Sequence, residues 1–117
     1  MSLREQRCLF TLYVAQLINK ASEMGFHVAL NECYRDPRVA VLNAQSGAGI
    51  SNSLHLTGLA VDLNIYDSMG KYLETTEAHR PLGTWWKSLD PSCRWGGDFH
   101  SRPDGNHYSY SPDGVRA

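Results

Sequence analysis

Two histidines and two aspartates carry the chemistry this chain could do: His55, Asp62, Asp104 and His107. His55 and Asp62 are seven residues apart. On one regular strand that offset would separate them by roughly 23 Å and put them on opposite faces. On one helix they would share a face but lie about 10 Å apart. Neither arrangement lets both reach one metal ion, whose bonds are about 2 Å long. The chain must bend between them, and Thr57-Gly58 is where it can, because glycine tolerates the dihedral angles of a sharp turn. This predicts His55 on a loop folded back over the polar face of the strand that bears Asp62.

The second piece is Asp104-Gly105-Asn106-His107. His107 opens an alternating stretch in which Ser109 shares its face and Tyr108 and Tyr110 take the other. Such a turn offers one imidazole to a metal and holds a carboxylate just beside it. His, Asp and His suit catalytic zinc, which takes three protein ligands and keeps a fourth position for water. The metal lowers the pKa of that water toward neutrality. A nearby carboxylate can take its proton and later deliver one to a leaving amine, and Asp104 is the candidate. Each residue also has a plainer reading. A single histidine is commonly structural or surface-exposed, and an Asp-Gly step is ordinary turn chemistry. Asp62 resists the plain reading, since a carboxylate in an otherwise apolar strand is costly unless paired or bound to metal.

The elements that must position these residues follow from the pattern. A first helix is expected from about Ser2 to Met24, with Ser2 and Glu5 spaced as a capping box and Gly25 as the stop. Phe26 to Leu30 reads as a short strand. Tyr34-Arg35-Asp36-Pro37 reads as a turn, Val39 to Ala44 as a short helix, and Ser46 to Ser53 as a loop. Ala60 to Tyr66 is the clearest strand: Val61, Leu63 and Ile65 alternate with Asp62 and Asn64. Asp67 to Gly70 suits a hairpin turn into Lys71 to Leu73. Thr76 to Leu89 is expected to be helical despite Pro81 and Gly83. Cys93 to Tyr110 is expected to hold one or two short strands, divided by a turn at Ser101 to Gly105. A helix first and strands later imply an α+β fold, an N-terminal helix with a small antiparallel sheet.

The 117 residues suit a single domain spanning the whole chain. Eleven basic and 12 acidic residues leave a formal charge of −1, without the basic surplus a nucleic-acid footprint needs. Cys8, Cys33 and Cys93 are odd in number, widely spaced and without a CxxC pair. They read as free thiols of a reducing compartment rather than a disulfide framework. Cys8 to Ile18 is apolar behind Arg4 and Arg7, but Glu5, Thr11 and Gln16 interrupt the pattern, and no small-residue cleavage site follows. It reads as an amphipathic core helix, not a signal peptide, and no run is long enough to span a membrane.

Ser53-x-His55-x-x-Gly58-x-Ala60-x-Asp62, joined to Asp104-x-x-His107, resembles the zinc peptidases of the D-alanyl-D-alanine carboxypeptidase (VanY) type, a group that includes phage L-alanyl-D-glutamate endopeptidases. Tyr34-Arg35 and Trp95-Gly96-Gly97-Asp98-Phe99 match habitual features of that family, and the likeness runs from about Phe26 to Tyr110. It implies a hedgehog/DD-peptidase-like zinc fold holding one zinc ion on His55, Asp62 and His107, with Asp104 as the catalytic base. It implies that Arg35 stabilises the polarised carbonyl or binds a substrate carboxylate, and that Ser53 orients substrate. The plain alternatives are an ion pair for Arg35 and a capping hydroxyl for Ser53. Tyr108 departs from the family, where Phe is frequent after the last ligand. The implied activity is hydrolysis of an amide bond in peptidoglycan stem peptides, with the L-alanyl-D-glutamate endopeptidase reading preferred to the D-Ala-D-Ala carboxypeptidase. The expected setting is a monomeric phage or prophage endolysin, made in the cytoplasm and released to the wall by a holin, without nucleic-acid partners or stable membrane insertion. A binding module that keeps zinc without catalysis, as the related hedgehog domain does, is the alternative. Retention of Asp104 beside all three ligands favours catalysis.

Overall fold

The computed structural model describes residues 1–34 and 54–112. Helix α1 spans Leu3–Glu23. Its N-terminus is closed by the expected capping box: Ser2 Oγ accepts from the Glu5 amide, and the Glu5 carboxylate accepts from the Ser2 amide, both at 3.1 Å. At the other end Gly25 adopts φ +90°. The Gly25 amide donates to Ser22 and the Phe26 amide to Ala21, both at 3.0 Å, which is the Schellman arrangement.

That cap consumes Phe26, so strand β1 starts one residue later than its apolar pattern predicts. It runs through His27–Glu32, and a bulge lies between Leu30 and Glu32. Strand β2 covers Ala60–Tyr66 as predicted. A turn follows in which the Asp67 carboxylate accepts from the Met69 and Lys71 amides, both at 2.9 Å. The returning chain pairs with β2 only at Tyr72, opposite Tyr66. Helix α2 spans Thr76–Leu89 with Pro81 inside it. The proline costs one helical hydrogen bond, to the carbonyl of Glu77. Both Pro81 and Glu77 are exposed, so water can serve that carbonyl. Strands β3 (Cys93–Trp95) and β4 (His107–Tyr110) complete the chain.

The four strands form an antiparallel sheet in the order β1-β2-β4-β3. One face carries Val61, Leu63, Ile65 and Tyr108, and it packs with Phe10 and Leu17 of α1 and Leu82 and Trp86 of α2 into one core. The fold is therefore α+β with both described helices serving one face of the sheet. The opposite face carries Asp62, Asn64 and His107 and is left for chemistry. Cys8, Cys33 and Cys93 are all unpaired, the first two exposed and the third buried. Among the described residues, no helix is long and apolar enough to cross a membrane. The helix expected over Val39 to Ala44, the loop over Ser46 to Ser53 and the turn beyond Tyr34 lie outside the described residues.

Candidate metal centre

Asp62 and His107 are directly opposed in the β2–β4 ladder, and opposed residues project from the same face. Their adjacency is thus a consequence of register, and Asp62 Oδ1 lies 3.2 Å from His107 Nδ1. His55 arrives from a short 3-10 helix, Leu54–Thr57, where a plain loop was expected. Gly58 closes that turn with φ +73°, the bend the spacing required. The turn delivers His55 Nε2 to 3.3 Å from the same Asp62 oxygen. Donor atoms of all three residues lie within 4.8 Å of one another.

The fit to a metal can be judged from this geometry. Ligands about 2.1 Å from a tetrahedral zinc sit about 3.4 Å apart, close to the two distances found. The tautomer of His55 is more telling. Its Nδ1 is 2.7 Å from the backbone oxygen of Cys33. A carbonyl can only accept, so Nδ1 carries the hydrogen, and a neutral ring turns the lone pair of Nε2 toward Asp62. Two acceptors facing each other at that range need a proton or a cation between them. A second nitrogen tied to a carbonyl is also how metal-bound histidines are oriented. The donor set therefore fits zinc. The ring of Phe99 flanks His107 at a centroid distance of 5.5 Å. His107 Nε2 is buried and has no hydrogen-bond partner among the described residues.

Burial pushes the Asp62 carboxyl upward. The hydrogen bond from His107, that from His55 when its ring is protonated, and the attraction of both rings when charged outweigh it and hold the group at about 2. Asp104 moves the other way. Burial of its carboxyl and the negative charge of Asp62 raise it above the ordinary aspartate value, against His107 and His55. The residue as a whole remains exposed.

Its backbone is fixed on both sides: the Asp104 amide donates to Gly96 at 2.9 Å, and its carbonyl accepts from the His107 amide at 3.1 Å. Trp95 anchors the same loop from below, Nε1 donating to the Gly105 carbonyl at 2.7 Å. Gly96 is required here because a Cβ at that position would strike the Asp104 carbonyl and His107 Cβ. The structure thus gathers His55, Asp62, His107 and Asp104. Arg35 and Ser53 lie outside the described residues. The contribution missed from sequence is the Cys33 carbonyl, a backbone acceptor that leaves no trace in residue type.

No curated protein is significantly similar in sequence. Among solved structures, the chain is similar to the Serratia marcescens L-Ala D-Glu endopeptidase ChiX, with a TM-score of 0.67 and 19% identity over 83% of this chain and 77% of that one. It is also similar to a variant of the vancomycin-resistance D,D-pentapeptidase VanY in complex with Zn(II), with a TM-score of 0.55 and 19% identity over 86% of this chain and 70% of that one. A family model described as D-alanyl-D-alanine carboxypeptidase matches residues 46–110. That span takes in His55, Asp62, Asp104 and His107 and covers more than half of the sequence, so the chain belongs to the D-alanyl-D-alanine carboxypeptidase family of peptidases.

Proposed function

We propose that this protein is a zinc-dependent peptidase that hydrolyses the L-Ala–D-Glu amide bond of peptidoglycan stem peptides. The observation that carries the reading is the convergence of His55 Nε2 and His107 Nδ1 on one oxygen of Asp62, at 3.3 and 3.2 Å, with Asp104 beside them. His55, Asp62 and His107 would hold the ion. Zinc, when bound, supplies a Lewis acid for the scissile carbonyl and lowers the pKa of water.

The chain's own residues do the rest. The Cys33 carbonyl keeps the His55 ring turned so that Nε2 faces the site. Asp104 takes the proton of the attacking water and returns it to the leaving amine, a role worth typically 10²–10⁴-fold in rate. Its raised pKa suits a group that must carry that proton between steps. Arg35 binds a substrate carboxylate or the polarised carbonyl, and Ser53 orients substrate, as the family resemblance suggests.

The better superposition on the L-Ala D-Glu endopeptidase than on the D,D-pentapeptidase supports the choice of bond. The family's description favours the second reading, removal of a terminal D-Ala. The setting that fits the first reading is a phage or prophage endolysin that meets the wall after release from the cytoplasm.

Digestion of purified peptidoglycan with and without a chelator, followed by mass spectrometry of the new termini, tests this. Chelator-sensitive release of D-Glu amino termini is expected. Released D-Ala would replace this reading with the second, and no cleavage by protein carrying one zinc would leave a binding module.

A further inference from the structure

The sheet face that bears Asp62 continues beyond the metal centre. Along β2 the same face presents Asn64 and then Tyr66, about 7 and 13 Å from Asp62 at strand spacing. Ala29 is opposed to Asn64 and His27 to Tyr66 across the β1 ladder. The Asn31 amide donates to Asn64 Oδ1 at 3.5 Å. Tyr72, bridged to Tyr66 on its other side, lays its ring 5.5 Å from the Tyr66 ring. Among the described residues this face is open: Ala29 is exposed although its side chain is a single methyl. Both described helices pack on the opposite face.

We propose that this open face is a subsite for the uncharged N-acetylated sugar joined to the amino side of the substrate peptide. The inference rests on the peptidase reading above. Its chemistry is that of a sugar site, with aromatic rings to stack on apolar ring faces and amides that both donate and accept toward hydroxyl and acetamido groups. Its charge selects the occupant. None of the six positions is Lys or Arg, so among the described residues they offer no fixed cation to the carboxylates of the stem peptide, whereas the sugar is neutral once its lactyl acid is amidated by L-Ala. Distance agrees: one alanyl residue and the lactyl arm span about 7 Å, which sets the ring over Asn64 and Tyr66. The subsite also orients the substrate, with its amino side toward Tyr66 and its D-Glu side away from β1.

The test that needs no cleavage is a titration of the zinc-loaded protein with the peptide-free GlcNAc–MurNAc disaccharide whose lactyl acid is capped as its methylamide, followed by NMR. Side-chain amide shifts at Asn31 and Asn64 and ring shifts at Tyr72 are expected, with affinity falling about tenfold in Tyr72→Ala. Tyr72 is 45% exposed, so that variant folds. Asn64→Ala gives a second reading. No shifts at millimolar sugar, or shifts confined to another surface, would overturn the subsite.

The companion measurement compares kcat/KM for a muramyl peptide and the same peptide without its sugar. The subsite predicts a preference for the sugar-bearing substrate that shrinks about tenfold in Tyr72→Ala. Equal kcat/KM for the two substrates would overturn it. Failure to cut either substrate would contradict the peptidase reading, and the titration alone would then decide the subsite.

Discussion

At the scale of residues, the proposed function divides labour between groups that would hold the ion and one that would move protons. Asp104→Asn is expected to bind zinc in the same ratio as the parent while kcat falls by about 10²–10⁴-fold. Metal analysis and hydrolysis rates on the same sample check both halves. Asp62→Asn is expected to lose zinc itself, because the oxygen on which both histidines converge no longer bears a charge. Asp62 was readable in the sequence because a carboxylate is costly in an otherwise apolar strand, and the bend at Gly58 was demanded by distance, whereas His55, His107 and Asp104 stood out as a set through the family motif. What holds the His55 ring in place was not readable, because the carbonyl of Cys33 could belong to any residue. Ser109 stayed ambiguous too: it shares the face of His107, yet it is fully buried with its hydroxyl unsatisfied among the described residues.

At the scale of elements, α2 acts on the site from the far side of the sheet. Gly83 lies against the Trp95 ring, and a Cβ there would overlap its atoms. Gly83→Ala would raise helix propensity, yet overpacking is expected to win, with a net loss of about 1–3 kcal/mol in urea unfolding. Trp95 also anchors Gly105, so displacement of Asp104 and slower hydrolysis should accompany that loss.

The same helix sends His79 to Tyr108, Nδ1 to hydroxyl at 2.8 Å, both side chains buried. Burial lowers the His79 pKa from 6.5 to about 4. As pH falls through 6.5 the unfolded chain takes this proton while the folded chain refuses it. Stability from this group is therefore complete above 6.5 and lost progressively down to about 4, by about 3 kcal/mol at most. Unfolding free energies across that window should lose about one proton of pH dependence in His79→Gln. Helix α2 was legible from end to end, but neither Gly83's ring contact nor the partner of His79 was, since both depend on which strand lies beneath. The start of β1 was misjudged for a local reason: the apolar Phe26 serves the helix cap.

At the scale of the whole molecule, an ion held as proposed would join segments far apart in sequence, the turn at His55 and strands β2 and β4. Binding to the folded state alone raises stability by about 4 kcal/mol when free zinc is a thousand times its dissociation constant. A chelator is expected to lower Tm, and Asp62→Asn to abolish the zinc dependence of Tm while leaving a folded chain. The architecture was legible because helix and strand patterns did not compete, and because the sheet's two faces differ so sharply in polarity. The extent of the face beyond Asp62 was not, since Tyr72 joins Asn64 and Tyr66 only through the bridge between Tyr66 and Tyr72.

In the proposed function, one zinc ion on His55, Asp62 and His107 carries the activity. Titrating zinc into metal-free protein while following peptidoglycan hydrolysis tests it most directly. Activity is expected to rise from zero, break at one equivalent and vanish in Asp62→Asn. Full activity in metal-free protein, or a break unaffected by Asp62→Asn, would contradict it.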